Sequence, residues 1–127
     1  MSCGNRSEIV TGVNKMINSP NYPKNYAGKL DCKILLITEN ETKIAIQFHN
    51  FSMVSTLLWG CWDWIDIYDG RNSSAEALKS KLCDYTFKEK YVIATGNSMF
   101  IRFQSHQDSA GGHFRFKMTT GKDLSRY

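Results

Sequence analysis

The sequence lacks the long apolar run that a membrane-spanning helix requires. None of its 127 residues lie in a stretch approaching the roughly 18 consecutive apolar residues of such a helix. The first residues also predict no secretory leader, because Met1-Ser2-Cys3 has neither a basic segment nor an apolar one. We therefore expect no membrane insertion. Two origins remain open: a cytosolic protein, or a fragment cut from a longer secreted precursor.

The sequence also lacks the short motifs of common enzyme and metal sites. It has no C-x-x-C pair, no H-E-x-x-H and no G-x-S-x-G, which argues against zinc ribbons, metalloproteases and α/β-hydrolases. Residues 105–109 contain the serine, histidine and aspartate of a triad, but a polar turn between two strands explains them better. No concentrated basic arm is present. We expect no catalysis and no nucleic-acid partner.

Cysteines and glycosylation triplets are widely scattered. An even number of spread cysteines is typical of structural disulfides in an oxidising compartment, and the spacing leaves three pairings open: the cysteines are Cys3, Cys32, Cys61 and Cys83. Acceptor triplets for N-linked sugars, otherwise ordinary polar turns, begin at Asn5, Asn40, Asn50 and Asn72. Together they favour a fragment of a secreted or cell-surface protein, with Met1 and Ser2 added in front of the domain.

Short runs of β-branched and aromatic residues alternate with turns, and helical periodicity is almost absent. Strands are predicted at 33–38, 42–48, 64–68, 91–95, 98–103 and 113–118. A weak helical candidate covers residues 75–80. Strands at this spacing, joined by turns, indicate an all-β antiparallel sandwich or barrel.

Several segments together resemble the CUB domain, in that family's order. Residues 19–26 are similar to its S-P-N-Y-P-x-x-Y run, and residues 48–51 to its F-x-x-F. Residues 61–70 are similar to C-x-Y-D-x-L-x-I-x-D-G with one residue fewer after the cysteine. Residues 96–105 match the closing strand, and residues 111–114 resemble G-G-F with an inserted histidine.

This resemblance covers residues 3–119 and implies a two-sheet antiparallel β-sandwich of the jellyroll type with two disulfides, Cys3–Cys32 and Cys61–Cys83. Residues 120–127 are then a linker or tail. The implied function is an extracellular, non-catalytic module that recognises proteins as part of a larger secreted or cell-surface protein. The alternative is a stand-alone carbohydrate or glycosaminoglycan binder, like the spermadhesins.

Many CUB domains resemble one another in a calcium site of three carboxylates, and this chain departs from that pattern. Asp63 fits one position, but Val54 and His106 stand at the other two. Valine offers no ligand atom and imidazole is a poor ligand for calcium, a hard cation. Asp108 could substitute only if its loop rearranged. We expect no cofactor and no calcium, with Asp63 a residual candidate that is more simply a turn-capping or tyrosine-bonding carboxylate.

One candidate binding surface is the loop at residues 54–62, which is unusually apolar for a connection. It either packs under the edge of the sandwich or forms an exposed apolar patch, which commonly marks an interface with a protein partner. The candidate partner-binding residues are Leu57, Leu58, Trp59 and Trp62.

A second candidate surface is basic. The chain has a formal net charge of +4, which permits attraction to a sulfated glycan without requiring it. Ordinary solvation of strand faces is the simpler explanation, but if the two rows of cations adjoin, they could hold a sulfated glycan by charge. The candidate residues are Lys79 and Lys81 in one row and Arg115 and Lys117 in the other.

Overall fold

A computed structural model of the chain describes residues 1–4, 8–12, 14–53, 55–56, 60–83, 91–107, 109 and 111–122. These residues form strands and no helix, so none of them lies in a helix that could cross a membrane. The strands are β1 (Ser2–Cys3), β2 (Glu8–Thr11), β3 (Lys15–Asn18), β4 (Asp31–Ile37), β5 (Lys43–Ser52), β6 (Ser55–Thr56), β7 (Gly60–Cys61), β8 (Trp64–Tyr68), β9 (Ala77–Leu82), β10 (Tyr91–Ile93), β11 (Ser98–Gln104) and β12 (His113–Gly121).

Alternation of apolar and polar residues decides which face of each strand is buried. In β12, Phe114, Phe116 and Met118 have no exposed surface, while the residues between them are partly exposed. Successive side chains of a strand point to opposite faces, so one face of the strand enters the core and the other meets solvent. The same pattern in β4 and β11 builds the core from both sheets.

The strands form two packed sheets. The first sheet has the order β1-β4-β11-β8-β9, with β2 also paired to β4, and the second has the order β10-β5-β12-β3. Strands β6 and β7 pair separately. Neighbouring strands run antiparallel except β2, which runs parallel to β4 beyond the point where β1 stops. The predicted antiparallel β-sandwich is confirmed.

Both predicted disulfides are present. Cys3–Cys32 links β1 to its neighbour β4, and Cys61–Cys83 links β7 to the residue after β9. On the chain-entropy estimate, each bridge stabilises the folded protein by roughly 3 kcal/mol, because it lowers the conformational entropy of the unfolded chain.

The helix predicted at residues 75–80 is wrong. Residues of β9 instead pair with β8, and the register shifts twice along this pair. The shifts disturb the alternation that would have identified a strand. A six-residue segment cannot offset the cost of helix nucleation, whereas the open edge of β8 offers hydrogen-bonding partners at once.

Two core strands extend further than predicted, whereas β10 ends at Ile93, before the predicted end at residue 95. Strand β5 continues to Ser52 through an irregularity in its pairing with β12, and β12 continues to Gly121. At the end of the sandwich where β5 and β11 end and β8 and β12 begin, Gly112 lies directly against the Ser52 carbonyl group. We call this the pocket end, after the aromatic pocket that is described below.

We predict that Gly112→Ala destabilises the protein by about 1–3 kcal/mol, because the new methyl group would overlap the Ser52 backbone. Gly96→Ala is the matched control, since nothing lies within 4 Å of its added carbon. The two variants are compared by urea unfolding of the non-reduced protein. Equal stability of both would show that the backbones do not approach as described.

Candidate functional site

Residues 62–64, from the end of β7 to the start of β8, place one buried carboxylate at the pocket end between two partly exposed indoles. Asp63 has no exposed surface, whereas Trp62 and Trp64 on either side of it are partly exposed. Trp62 and Asp63 lie in a bend, and β8 begins at Trp64. The buried carboxylate therefore lies between two side chains that reach solvent.

Asp63 accepts three hydrogen bonds from the described part of the chain. Tyr26 Oη and Ser109 Oγ each donate to Oδ2 at 2.6 Å, and the His106 backbone N–H donates to Oδ1 at 2.9 Å. A buried carboxylate requires such donors, because transfer out of water is otherwise very costly. The interpretation of Asp63 as a tyrosine-bonding carboxylate agrees with this geometry.

The loops that supply these donors are bonded to one another. Ser105 Oγ accepts from the Leu30 backbone N–H at 2.8 Å and donates to the Ala27 carbonyl at 3.0 Å. The Tyr26 backbone N–H donates to the Gly112 carbonyl at 2.8 Å. The connections β3–β4 and β11–β12 therefore form one hydrogen-bonded layer around Asp63.

An open aromatic pocket lies above this layer. The rings of Trp62 and His106 lie 4.5 Å apart, centre to centre, at 33°. With Cys61 and Trp64 they line a pocket of about 400 Å³. Lys81 Nζ lies 5.2 Å from the centre of the Trp64 ring, a cation–π contact.

Of the four predicted partner-binding residues, the structure describes Trp62. Trp62 lines the pocket, whereas Leu57, Leu58 and Trp59 lie outside the described residues. Among the glycosylation candidates, Asn40, Asn50 and Asn72 are exposed, and Asn5 lies outside the described residues. Their sugar attachment remains a prediction.

The structure does not bring the two predicted basic rows together. Lys79 and Lys81 lie on β9, at the edge of the first sheet, whereas Arg115 and Lys117 lie on β12, inside the second sheet. The condition for one combined glycan site is therefore not met.

The described residues do not match the donor set of a calcium site. Both oxygens of Asp63 face N–H and O–H donors, and the His106 ring packs against Trp62 at a tilt. Where the structure describes the chain, no three His, Cys, Asp or Glu residues cluster closely enough to hold a metal ion. Val54 and Asp108 lie outside those residues. A hard cation needs several oxygen ligands, and one satisfied carboxylate does not supply them.

Two donors to Asp63 were missed from the sequence. Tyr26 closes the S-P-N-Y-P-x-x-Y run, so its place in that motif was an available signal. Ser109 carried none, because only the folded loop brings it to a carboxylate 46 residues away in sequence.

Comparison with known proteins gives a consistent result. A family model described as CUB domain matches residues 3–118. Cubilin of Canis lupus familiaris is 34% identical over 107 residues, covering 84% of this chain and 3% of cubilin. Astacin-like metalloendopeptidase of Gallus gallus is 28% identical over 127 residues, covering 99% of this chain and 30% of that protein. The chain thus spans a minor part of these curated relatives.

Solved structures show the same fold. The crystal structure of the MASP-1 CUB2 domain bound to Ca²⁺ superposes with a TM-score of 0.75 at 20% identity, covering 88% of this chain and 96% of that one. The CUB1-EGF-CUB2 domain of human MASP-1/3 gives a TM-score of 0.77 at 19% identity, covering 94% of this chain and 43% of that one.

We predict that Asp63→Asn destabilises the protein by about 1–3 kcal/mol, because the amide nitrogen would face donors where an oxygen accepts them now. Asp69→Asn is the control: Asp69 accepts from the Thr95 backbone and hydroxyl in an exposed position, so a smaller loss is expected. Chemical unfolding measures both. If Asp63→Asn lost no more than Asp69→Asn, the buried network would not stabilise the pocket end.

Proposed function

The chain belongs to the CUB domain family, and on this premise we propose that it is an extracellular module that binds a protein partner through its aromatic pocket. CUB domains are non-catalytic protein-interaction modules of larger extracellular or cell-surface proteins. The astacin-like relatives are enzymes through other domains, and this chain matches only their CUB part. Two disulfides support an oxidising compartment. We propose that the parent protein is likewise larger.

The observation that carries this proposal is the paired ring surface of Trp62 and His106 above a rigid layer. Tryptophan is among the commonest anchors of protein interfaces. The hydrogen bonds around Asp63 fix the loops below the pocket before any partner arrives, which reduces the entropy lost on binding. We propose that Leu57, Leu58 and Trp59, which precede Cys61 in the chain, also take part in binding the partner.

We further propose that partner binding does not use calcium. The related MASP-1 CUB2 domain was crystallised with Ca²⁺, but here protein donors already occupy the carboxylate that fits that role. His106 supplies an amide to Asp63 and a ring to the pocket, rather than a carboxylate. Recognition then depends on aromatic burial instead of a bound cation.

We predict that Trp62→Ser lowers affinity for a protein partner by roughly 30-fold, the effect of losing a 2 kcal/mol anchor. The labelled chain is tested against arrayed extracellular proteins, and binders displaced by unlabelled chain are kept for titration. Ile9→Ser is the matched control, because Ile9 is 62% exposed on β2, remote from the pocket residues in the sheet order. Unchanged affinity of the Trp62 variant, or equal loss in both, would contradict the proposal.

We predict that millimolar calcium leaves the thermal midpoint of the non-reduced protein unchanged relative to chelator. Any ligand that binds the native state alone must raise the midpoint, so the measurement detects a site wherever it lies. A clear upward shift in calcium would show that the native protein binds the cation and would contradict a recognition surface that needs no metal.

A further inference from the structure

The charged residues are unequally divided between the two sheets. Strands β3, β5, β10 and β12 of the second sheet contain no aspartate or glutamate, and their cations are Lys15, Lys43, Arg115 and Lys117. The first sheet mixes both signs, with Glu8, Asp31 and Asp66 among Lys33, Lys79, Lys81 and Arg102. The strands of the second sheet therefore offer their own cations no carboxylate partner.

A line of basic side chains follows β12 on the outer face of this sheet. His113, Arg115 and Lys117 alternate with fully buried residues and so point outward. Alternate residues of a strand lie roughly 7 Å apart, which spaces these groups regularly. Asn50 of β5 and Asn18 of β3 lie directly opposite Arg115, one on each side. The line is thus bordered by uncharged hydrogen-bonding groups.

Arg115 has a polar atom without a hydrogen-bond partner among the described residues. Its Nε is buried and has no hydrogen-bond partner among the described residues, and its guanidinium lies 5.7 Å from the centre of the Tyr22 ring. Arg102 of the first sheet differs, because it donates to both oxygens of Asp31 at 2.9 and 2.7 Å. These hydrogen bonds lower the pKa of Asp31. A buried donor without an acceptor is costly. Arg102 has the Asp31 carboxylate as its acceptor, whereas Arg115 Nε has no acceptor among the described residues.

We propose that this face, defined by His113, Arg115 and Lys117 with Asn18 and Asn50, binds a linear sulfated polysaccharide. A chain of regularly spaced sulfates complements a regularly spaced line of cations. Guanidinium groups form paired hydrogen bonds with tetrahedral oxyanions, and amides can bond sugar hydroxyls. The site lies on the sheet face, separate from the aromatic pocket, and it excludes Lys79 and Lys81.

A lipid surface fits this face less well. Membrane-surface binding needs a broad apolar face beside the cations, and the large exposed apolar side chain described on the second sheet is Met16, 39% exposed. The outward groups beside β12 include Asn18, Asn50 and Gln47, which favour hydrated sugar over acyl chains.

Heparin is the probe, and the chain is produced without N-linked sugars because a glycan on Asn50 would stand beside Arg115. The double variant Arg115→Gln, Lys117→Gln is compared with Lys79→Gln, Lys81→Gln, which removes the same charge from the other sheet. We expect heparin retention at low salt and about tenfold weaker affinity in the first variant, with less than about twofold loss in the second.

Folding is monitored through the thermal midpoint of each variant. If the Arg115 substitution unfolds the protein, Lys117→Gln alone leaves the Tyr22 contact intact and is expected to weaken heparin binding about threefold. Absence of heparin retention at low salt would overturn the proposal. Equal losses of heparin affinity in both double variants would also overturn it, because they would show that binding depends on net charge alone. Binding to phosphatidylserine vesicles without binding to heparin would also overturn it, in favour of a membrane.

Discussion

Burial of the Asp63 carboxylate is the constraint on which the pocket end depends. A carboxylate without exposed surface is tolerated only where donors surround it, and here they come from a tyrosine, a serine and a backbone amide. Two loops must therefore meet at one point. Since β8 starts at the next residue, the same contact fixes where that strand enters the first sheet.

The hydrogen-bonded network and the proposed partner surface use different side chains. The bonds to Asp63 are buried, whereas the flanking indoles are partly exposed and line the pocket through which we propose that a partner binds. A hard cation would need oxygen ligands where the protein now supplies donors. The second surface, along β12, depends on neither feature, because alternation within one strand is enough to present its cations.

Local patterning predicted the strands that alternate cleanly, and residues 64–68 were placed without error. It failed for β9, where register shifts break the alternation, and it did not predict β1 to β3. The disulfide pairing came from the family resemblance, since cysteine spacing alone leaves alternatives open. The sequence located the four basic residues on strands, but which sheet each strand joins is set by non-local pairing. The role of Ser109 could not be predicted for the same reason, because its contact with Asp63 exists only once the loops have folded.

The most direct test of this account is a crystal structure of the chain grown in millimolar calcium. We predict that Tyr26, Ser109 and the His106 amide remain bonded to Asp63, with no ion beside its oxygens. A calcium ion bound to Asp63, with the tyrosine or serine displaced, would contradict the claim that protein donors alone hold this end of the sandwich.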